Sequence, residues 1–287
     1  MTGPGAVAAG TVGEALAAAS DALRGAGIDT PRLDAEVLLA EAMGVERATL
    51  PRSSEEGVEP RVARGFGAMV RRRIQREPVA YILGRKGFRH IELAVDPRVL
   101  IPRPETELLV EVAVELGPRT VLDVGTGSGA VALAVADELP HVAVRGTDTS
   151  AAALDVARAN AERLGLDDRA SFELAPYGSM APTKRQTAES SELVLANLPY
   201  VPDGDWATLQ PEIRNFEPRE ALLGGPDGLE PIRNLLASPP ECDSIALEVG
   251  LGQAGEVEGL VRVAGFANTE RRRDLAGIER VVLGRSR

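Results

Sequence analysis

The residues best placed to do chemistry are Asn197, Leu198, Pro199 and Tyr200, which break off the apolar run Val194-Leu195-Ala196. An amide, a stiff proline bend and an aromatic ring at the end of a strand make a receptor for a flat polar group. The Asn197 side-chain oxygen and a nearby backbone carbonyl can accept both hydrogens of an NH2 group, while the Tyr200 ring stacks on its plane. Directing those hydrogens fixes the nitrogen and leaves it facing a donor group. The same residues also fit an ordinary strand-to-loop turn, since Asn and Pro both favour such positions. A second feature lies upstream, where Val121-Leu122-Asp123-Val124 runs into Gly125-Thr126-Gly127-Ser128-Gly129 and then an apolar helix. Glycines there allow a tight turn and let a ligand approach backbone N–H groups at a helix start. With Ala130 in the last place, the spacing also fits a nicotinamide-binding turn or a turn with no ligand. Asp148, at the end of the next strand, stands where a carboxylate can accept ribose hydroxyls, a feature that several nucleotide-handling enzymes share, or can cap its own loop.

Other chemically capable residues are poorly grouped. His90 and His141 fall in different elements with no partner at metal-ligand spacing, so no metal site is expected. Cys242 follows Pro239-Pro240 without a neighbouring base and reads as an inert thiol; as the lone cysteine it excludes an intrachain disulfide. Arg71 to Arg73 and Arg271 to Arg273 read as solvated helix or loop faces.

The elements that must position these residues fall into two styles. Up to residue 85 the pattern is helical. Thr11 and Glu14 form a capping box ahead of Val12, Leu16, Ala19 and Leu23. Thr30 caps a second helix with Pro31 at its first position and Gly44 as its stop. A third helix, from Pro60 to Arg76, places Val62, Phe66, Met69, Val70 and Ile74 on one face. From Gly87 to Ile101 the period becomes that of strands around an Asp96-Pro97 turn, which predicts a hairpin. Beyond Pro104 helices and strands alternate: helix 105–116, strand 119–124, helix 129–138, strand 141–147, helix 150–164, then strands at 170–174, 192–196, 244–249 and 279–283. Such alternation predicts a parallel sheet wrapped on both faces, with ligands at the carboxyl ends of the strands. Residues 178–191 are polar and read as a mobile loop. The expected organisation is a helical domain over 1–85, a hairpin linker over 86–103 and an α/β domain over 104–287.

Composition sets the outer bounds. With 287 residues, 44% of them hydrophobic and 26% charged, the chain is long enough for one large domain or two modest ones. The formal charge of −11 argues against a protein that grips duplex nucleic acid through many phosphates, so no direct nucleic-acid partner is expected. No run of about 18 apolar residues provides a membrane span, and the Ala-rich start lacks a basic leader. The expectation is a cytoplasmic, monomeric protein.

With those residues in view, nearly the whole chain resembles the release-factor glutamine N5-methyltransferase family. The likeness is carried in order by TPRLDAEVLL, REPVAYILG, VLIPRPETELLVE, DVGTGSGAVALA, NLPYVP, EPREALLGGPDGLEPIRNLL, LEVGLGQ and DLAGIERVV. It implies a Rossmann-like S-adenosylmethionine (SAM)-dependent methyltransferase domain of α/β class, with a small N-terminal helical bundle and a linking β-hairpin. It also implies SAM as cofactor, class I peptide chain release factors as protein partners, and methylation of the glutamine in their Gly-Gly-Gln motif. By the same likeness Gly125, Thr126, Gly127, Ser128 and Gly129 hold the methionine end of SAM, Asp148 the ribose, and Tyr177 the adenine, with Asn197 at the border of cofactor and substrate. Asn197, Leu198, Pro199 and Tyr200 hold the substrate glutamine, with Asn197, Pro199 and Tyr200 catalytic; Arg103, Glu105 and Thr106 shape the same cleft. Two positions depart from the family pattern. Leu198 stands where proline is usual but keeps the backbone carbonyl, and Pro176 stands where an acidic residue is common. The alternative is a paralogous SAM-dependent N-methyltransferase acting on a small molecule or another planar amino or amide group.

Overall fold

The computed structural model describes residues 10–177 and 191–286, so most of the polar 178–191 stretch lies outside the described residues. The chain divides into two compact units. One comprises residues up to Gly84 together with Gln210–Phe216; the other comprises Arg85–Leu209 and Glu217–Arg287.

The first unit is built on α1 (Val12–Gly25), α2 (Pro31–Met43), α3 (Pro60–Ile74) and α4 (Val79–Leu83). The capping box forms: Glu14 N–H donates to Thr11 Oγ1 at 3.2 Å and Thr11 N–H to Glu14 Oε2 at 2.8 Å. Val12, Leu16, Leu23, Leu38, Leu39 and Phe66 make the core of this bundle. Thr30 does sit at the cap of α2, but its hydroxyl bonds Asp34 Oδ1 at 2.8 Å rather than a backbone N–H. Two readings of α3 need correction. Ile74 is 37% exposed, whereas Arg73, expected on a solvated face, is 7% exposed. The cause is charge pairing: Arg73 lies 2.7 Å from Asp34 and 2.9 Å from Glu212 of the 210–216 segment. Two carboxylates can hold a buried guanidinium that a single one would leave undercompensated.

The second unit opens with a hairpin, β1 (Arg85–Phe88) and β2 (Ile91–Ala94), paired antiparallel with Phe88 opposite Ile91. Its turn is therefore Arg89-His90, not Asp96-Pro97, which makes a separate turn closed by Val99 N–H to Asp96 O at 3.1 Å. Tertiary anchoring overrides turn preference here. Arg89 adopts φ +50° while its N–H donates to Glu107 and its guanidinium grips Glu138 through two bonds of 2.7 Å.

After a short 3-10 turn at Pro104–Thr106 come α5 (Glu107–Leu116), β3 (Thr120–Val124), α6 (Ala130–Glu138), β4 (Ala143–Asp148), α7 (Ala151–Leu164), β5 (Ala170–Leu174) and β6 (Ser191–Ala196). Then follow α8 (Pro211–Phe216), which groups with the helical unit, α9 (Glu230–Ala237), β7 (Cys242–Glu248), α10 (Ala254–Val263), β8 (Asn268–Arg273) and β9 (Glu279–Arg285). The seven strands run in the order β5-β4-β3-β6-β7-β9-β8, the first five parallel and β9 antiparallel to both neighbours. Arg271 to Arg273 thus lie on an edge strand, not on a helix or loop face. Their charges pair with Glu258, Glu115 and Glu279, and charged side chains on an edge discourage pairing with another sheet. Chain order reverses direction between β3 and β6, so the sheet's crevice opens at their carboxyl ends.

Candidate active site

Register alone assembles the site. Val124 pairs with Thr147 on one side and with Ala196 on the other, and Ala196 pairs with Leu247. The next residue of each strand is therefore Gly125, Asp148, Asn197 or Glu248, and these four fall into one row along the carboxyl edge.

The glycine loop is held from beneath. Gly125 and Thr126 N–H groups both donate to Thr147 O, at 2.8 and 2.9 Å. Asp123, only 2% exposed, accepts from Thr126 Oγ1 at 2.6 Å and from Ala132 N–H at 3.2 Å. Burial pushes its carboxyl up to about 6, against the pull of those two bonds. Gly125 has φ +76°, which favours glycine, and a Cβ there would come 2.9 Å from Leu198 Cδ2, where loop and NLPY segment touch. Asp148 accepts from Gly127 N–H and from Ser150 N–H, both at 2.9 Å. Burial raises its pKa while those N–H groups oppose the rise.

These residues border an open cleft lined by Gly125, Gly127, Asp148, Tyr177, Asn197 and Pro199 among the expected residues. Arg98, Val99, Leu100, Thr149, Ser150, Ala153, Pro218, Glu220 and Ala221 complete the lining and were not singled out from sequence. Tyr177 lies within hydrogen-bonding reach of Thr149, and burial raises its pKa. Thr126 and Ser128 are buried, at 6% and 3% exposure. Thr126 turns to Asp123, and the Ser128 carbonyl accepts from Asn160 at 3.0 Å. Leu198 turns into the core at 1% exposure.

The NLPY segment is clamped by the glycines of ALLGGPDGL. Val201 N–H donates to Leu222 O and Gly224 N–H to Val201 O, both at 2.9 Å. A Cβ on Gly224 would meet Pro199 O at 2.6 Å, and one on Gly228 would meet Tyr200 O at 2.2 Å. Gln253 adds a bond from Nε2 to Tyr200 O at 2.9 Å. Asn197 Nδ2 donates to Thr106 Oγ1 at 3.0 Å, which leaves the amide oxygen as its acceptor end. Arg103 pairs with buried Glu217, whose other oxygen accepts from Ile101 N–H at 3.1 Å. Glu105 lies close enough to Glu248 to raise its pKa. Glu217, Glu248 and Asn160 are structurally prominent and were missed in the sequence. For Glu248 the signal existed: a polar residue closing an apolar strand, as with Asp148 and Asn197. The Cys242 thiol is pushed up to about 12 by burial and by Asp243.

A glycine-turned loop, an acid on the next strand and an amide on the strand beyond the reversal form a Rossmann-like nucleotide-cofactor site, and the match of the region to a methyltransferase domain makes the class a SAM-dependent methyltransferase. Solved structures agree on the fold: the hMettl16 catalytic domain crystallised with a MAT2A 3'UTR hairpin superposes with a TM-score of 0.53 at 14% identity, covering 72% of this chain and 78% of that one. Residues 14–84 match the PrmC N-terminal domain and 118–223 a methyltransferase domain. The chain is 40% identical to the release factor glutamine methyltransferase of Caulobacter vibrioides over 96% of each chain. It is 39% identical to that of Geobacter sulfurreducens over 90% of this chain and 91% of the relative. The chain belongs to the release factor glutamine methyltransferase family.

Proposed function

We propose that this chain methylates the side-chain amide nitrogen of the Gly-Gly-Gln glutamine in class I release factors, with Asn197 and the Leu198 carbonyl directing that nitrogen. The observation that carries the reading is the orientation of Asn197. Its NH2 end is engaged by Thr106, so its oxygen is the end available to an incoming amide N–H. The cofactor fits the residues present: Gly127 leaves open space where the loop lines the cleft, and Asp148, also on the cleft wall, retains lone pairs beyond the two it uses. When bound, SAM supplies a methyl group on a sulfonium, already activated for transfer. What remains for the protein is orientation and exclusion of water, which in well-aligned reactions recovers about 7 to 11 kcal/mol. Asn197 and the Leu198 carbonyl accept hydrogen bonds from the two amide hydrogens and turn the nitrogen toward the methyl; one of those hydrogens leaves as a proton once the nitrogen is methylated. Tyr200, its carbonyl clamped by Gln253 and its hydroxyl 3.4 Å from Glu248, offers a fixed ring for the amide plane.

The test is mass spectrometry of release-factor peptides after incubation with SAM, which should find one added methyl on the glutamine. Asn197→Ala should lower the rate by about a hundredfold, as loss of a directing group does elsewhere, with SAM affinity nearly unchanged. A variant that methylates at the wild-type rate would refute the assignment of Asn197.

A further inference from the structure

Glu248 ends β7 at 1% exposure, and its Oε2 is buried without a hydrogen-bond partner among the described residues. A buried carboxylate with an unpaired oxygen is costly and demands a reason. The groups around it are the Tyr200 hydroxyl, 3.4 Å from Oε1, the Thr106 hydroxyl, which lies near enough to lower its pKa without a formed bond to Oε2, the carboxylate of Glu105 and the guanidinium of Arg280, itself paired with Asp274 at 3.1 Å. Thr106 is the same residue that stands 3.0 Å from Asn197 Nδ2. A hydroxyl has one proton to give. Once that proton points to a Glu248 carboxylate, the Thr106 oxygen offers only lone pairs, and the only part of the Asn197 amide it can hold is the NH2.

We propose that Glu248 and Thr106 are positioning residues for methyl transfer: ionised Glu248 sets the direction of the Thr106 hydroxyl, and Thr106 sets the flip of the Asn197 amide, so that Oδ1 faces the acceptor. The inference deepens the function proposed above and rests on its reading of Asn197. A flipped amide would oppose NH2 to NH2, two donors with no bond between them. Protonation reverses the relay. Burial pushes Glu248 up to about 7, with Thr106 opposing, Glu105 adding to the rise, and Arg280 and Tyr200 opposing. Below that pH Glu248 takes a proton from solvent and can donate to Thr106, whose own proton is then free to meet Asn197 Oδ1.

Three measurements on the full chain test this. The first is kcat and KM for release factor with Thr106→Val and Thr106→Ser. The valine variant should lose kcat by tenfold or more, on the order of one directing hydrogen bond, with the KM for SAM within about twofold, and serine should restore most of it. The second is the pH profile: wild-type kcat should rise with pH through an inflection near 7, and E248Q should flatten it. The third is NMR of the Asn197 side-chain NH2 signals, assigned by their loss in Asn197→Ala. They should titrate near the same pH in the wild type, which requires no variant to fold, and not in E248Q. A valine variant at the wild-type kcat, an inflection that survives E248Q, or Asn197 signals that do not titrate would overturn the proposal. If those signals titrate as stated but no release factor is methylated, the relay stands and the acceptor assignment falls.

Discussion

At the scale of single residues the glycines divide into two kinds, and the division is testable. Gly228 has φ +80°, and a Cβ there would lie 2.2 Å from the backbone oxygen of Tyr200, an atom that cannot move without dragging the NLPY segment. Gly228→Ala should cost about 3 kcal/mol from strain and overpacking and should remove activity, read by urea denaturation and a methylation assay. Gly127 also has a positive φ, +56°, yet a Cβ there would meet nothing within 4 Å. The protein leaves that space open and lines the cleft with it. Gly127→Ala should therefore cost only the left-handed penalty of about 1 to 2 kcal/mol, while SAM binding measured by calorimetry weakens by about tenfold or more. Equal affinity in the two proteins would mean that the glycine loop does not hold the cofactor.

At the scale of elements, one buried side chain joins three of them. Asn160 of α7, with no exposed surface, accepts from Ala94 N–H at 2.7 Å and donates to Ala94 O and Ser128 O, both at 3.0 Å. It ties the end of the hairpin to the glycine loop. Asn160→Ala would strand a buried N–H and two carbonyls, which should cost roughly 2 to 4 kcal/mol and weaken SAM binding through Ser128. The exposed pair Arg272–Glu115, 2.8 Å apart, offers the contrast; Arg272→Ala should change stability by less than about 1 kcal/mol. Equal unfolding free energies for the two variants would show that the hairpin is not fastened here. The element types from α5 to β6 were legible because their apolar periods are local, and Asn197 and Asp148 were legible as polar residues closing apolar strands. Asn160 was not, since it reads as one more polar residue on a helix whose partners lie 32 and 66 positions away. Strand β8 was hidden by Arg271 to Arg273, a charge run whose partners come from α5, α10 and β9. The hairpin turn was displaced for the same reason, Arg89 being held by Glu107 and Glu138.

At the scale of the whole molecule, Glu248 and Asp123, two of the buried acids of the catalytic unit, should shape its stability against pH. Glu248 is pushed up from 4.5 to about 7 and Asp123 from 3.8 to about 6, in both cases chiefly by burial. A carboxyl whose folded pKa exceeds its unfolded value binds its proton more tightly when folded. Its favourable contribution is complete below the unfolded pKa and is lost as pH rises through the folded one. For Glu248 the shift corresponds to about 3 kcal/mol between pH 4.5 and 8. The paired surface acids act oppositely and elsewhere. Asp96 and Glu138 are lowered by Arg98 and Arg89, so their contributions are present above the ordinary carboxylate range and lost only as pH falls below it. Between roughly pH 5 and 8 the buried acids should therefore dominate, and the melting temperature should fall by several degrees as pH rises, given about 2 to 4 °C per kcal/mol for a unit of this size. E248Q carries no proton to lose and should remove the upper part of that fall, leaving the part near 6 that belongs to Asp123. Calorimetric scans of both proteins across the window decide the point. A wild-type melting temperature that holds level or climbs from pH 5 to 8, or an E248Q curve parallel to it, would mean that Glu248 is ionised and compensated in the folded state, and the cost assigned to its unpaired oxygen would have to be withdrawn.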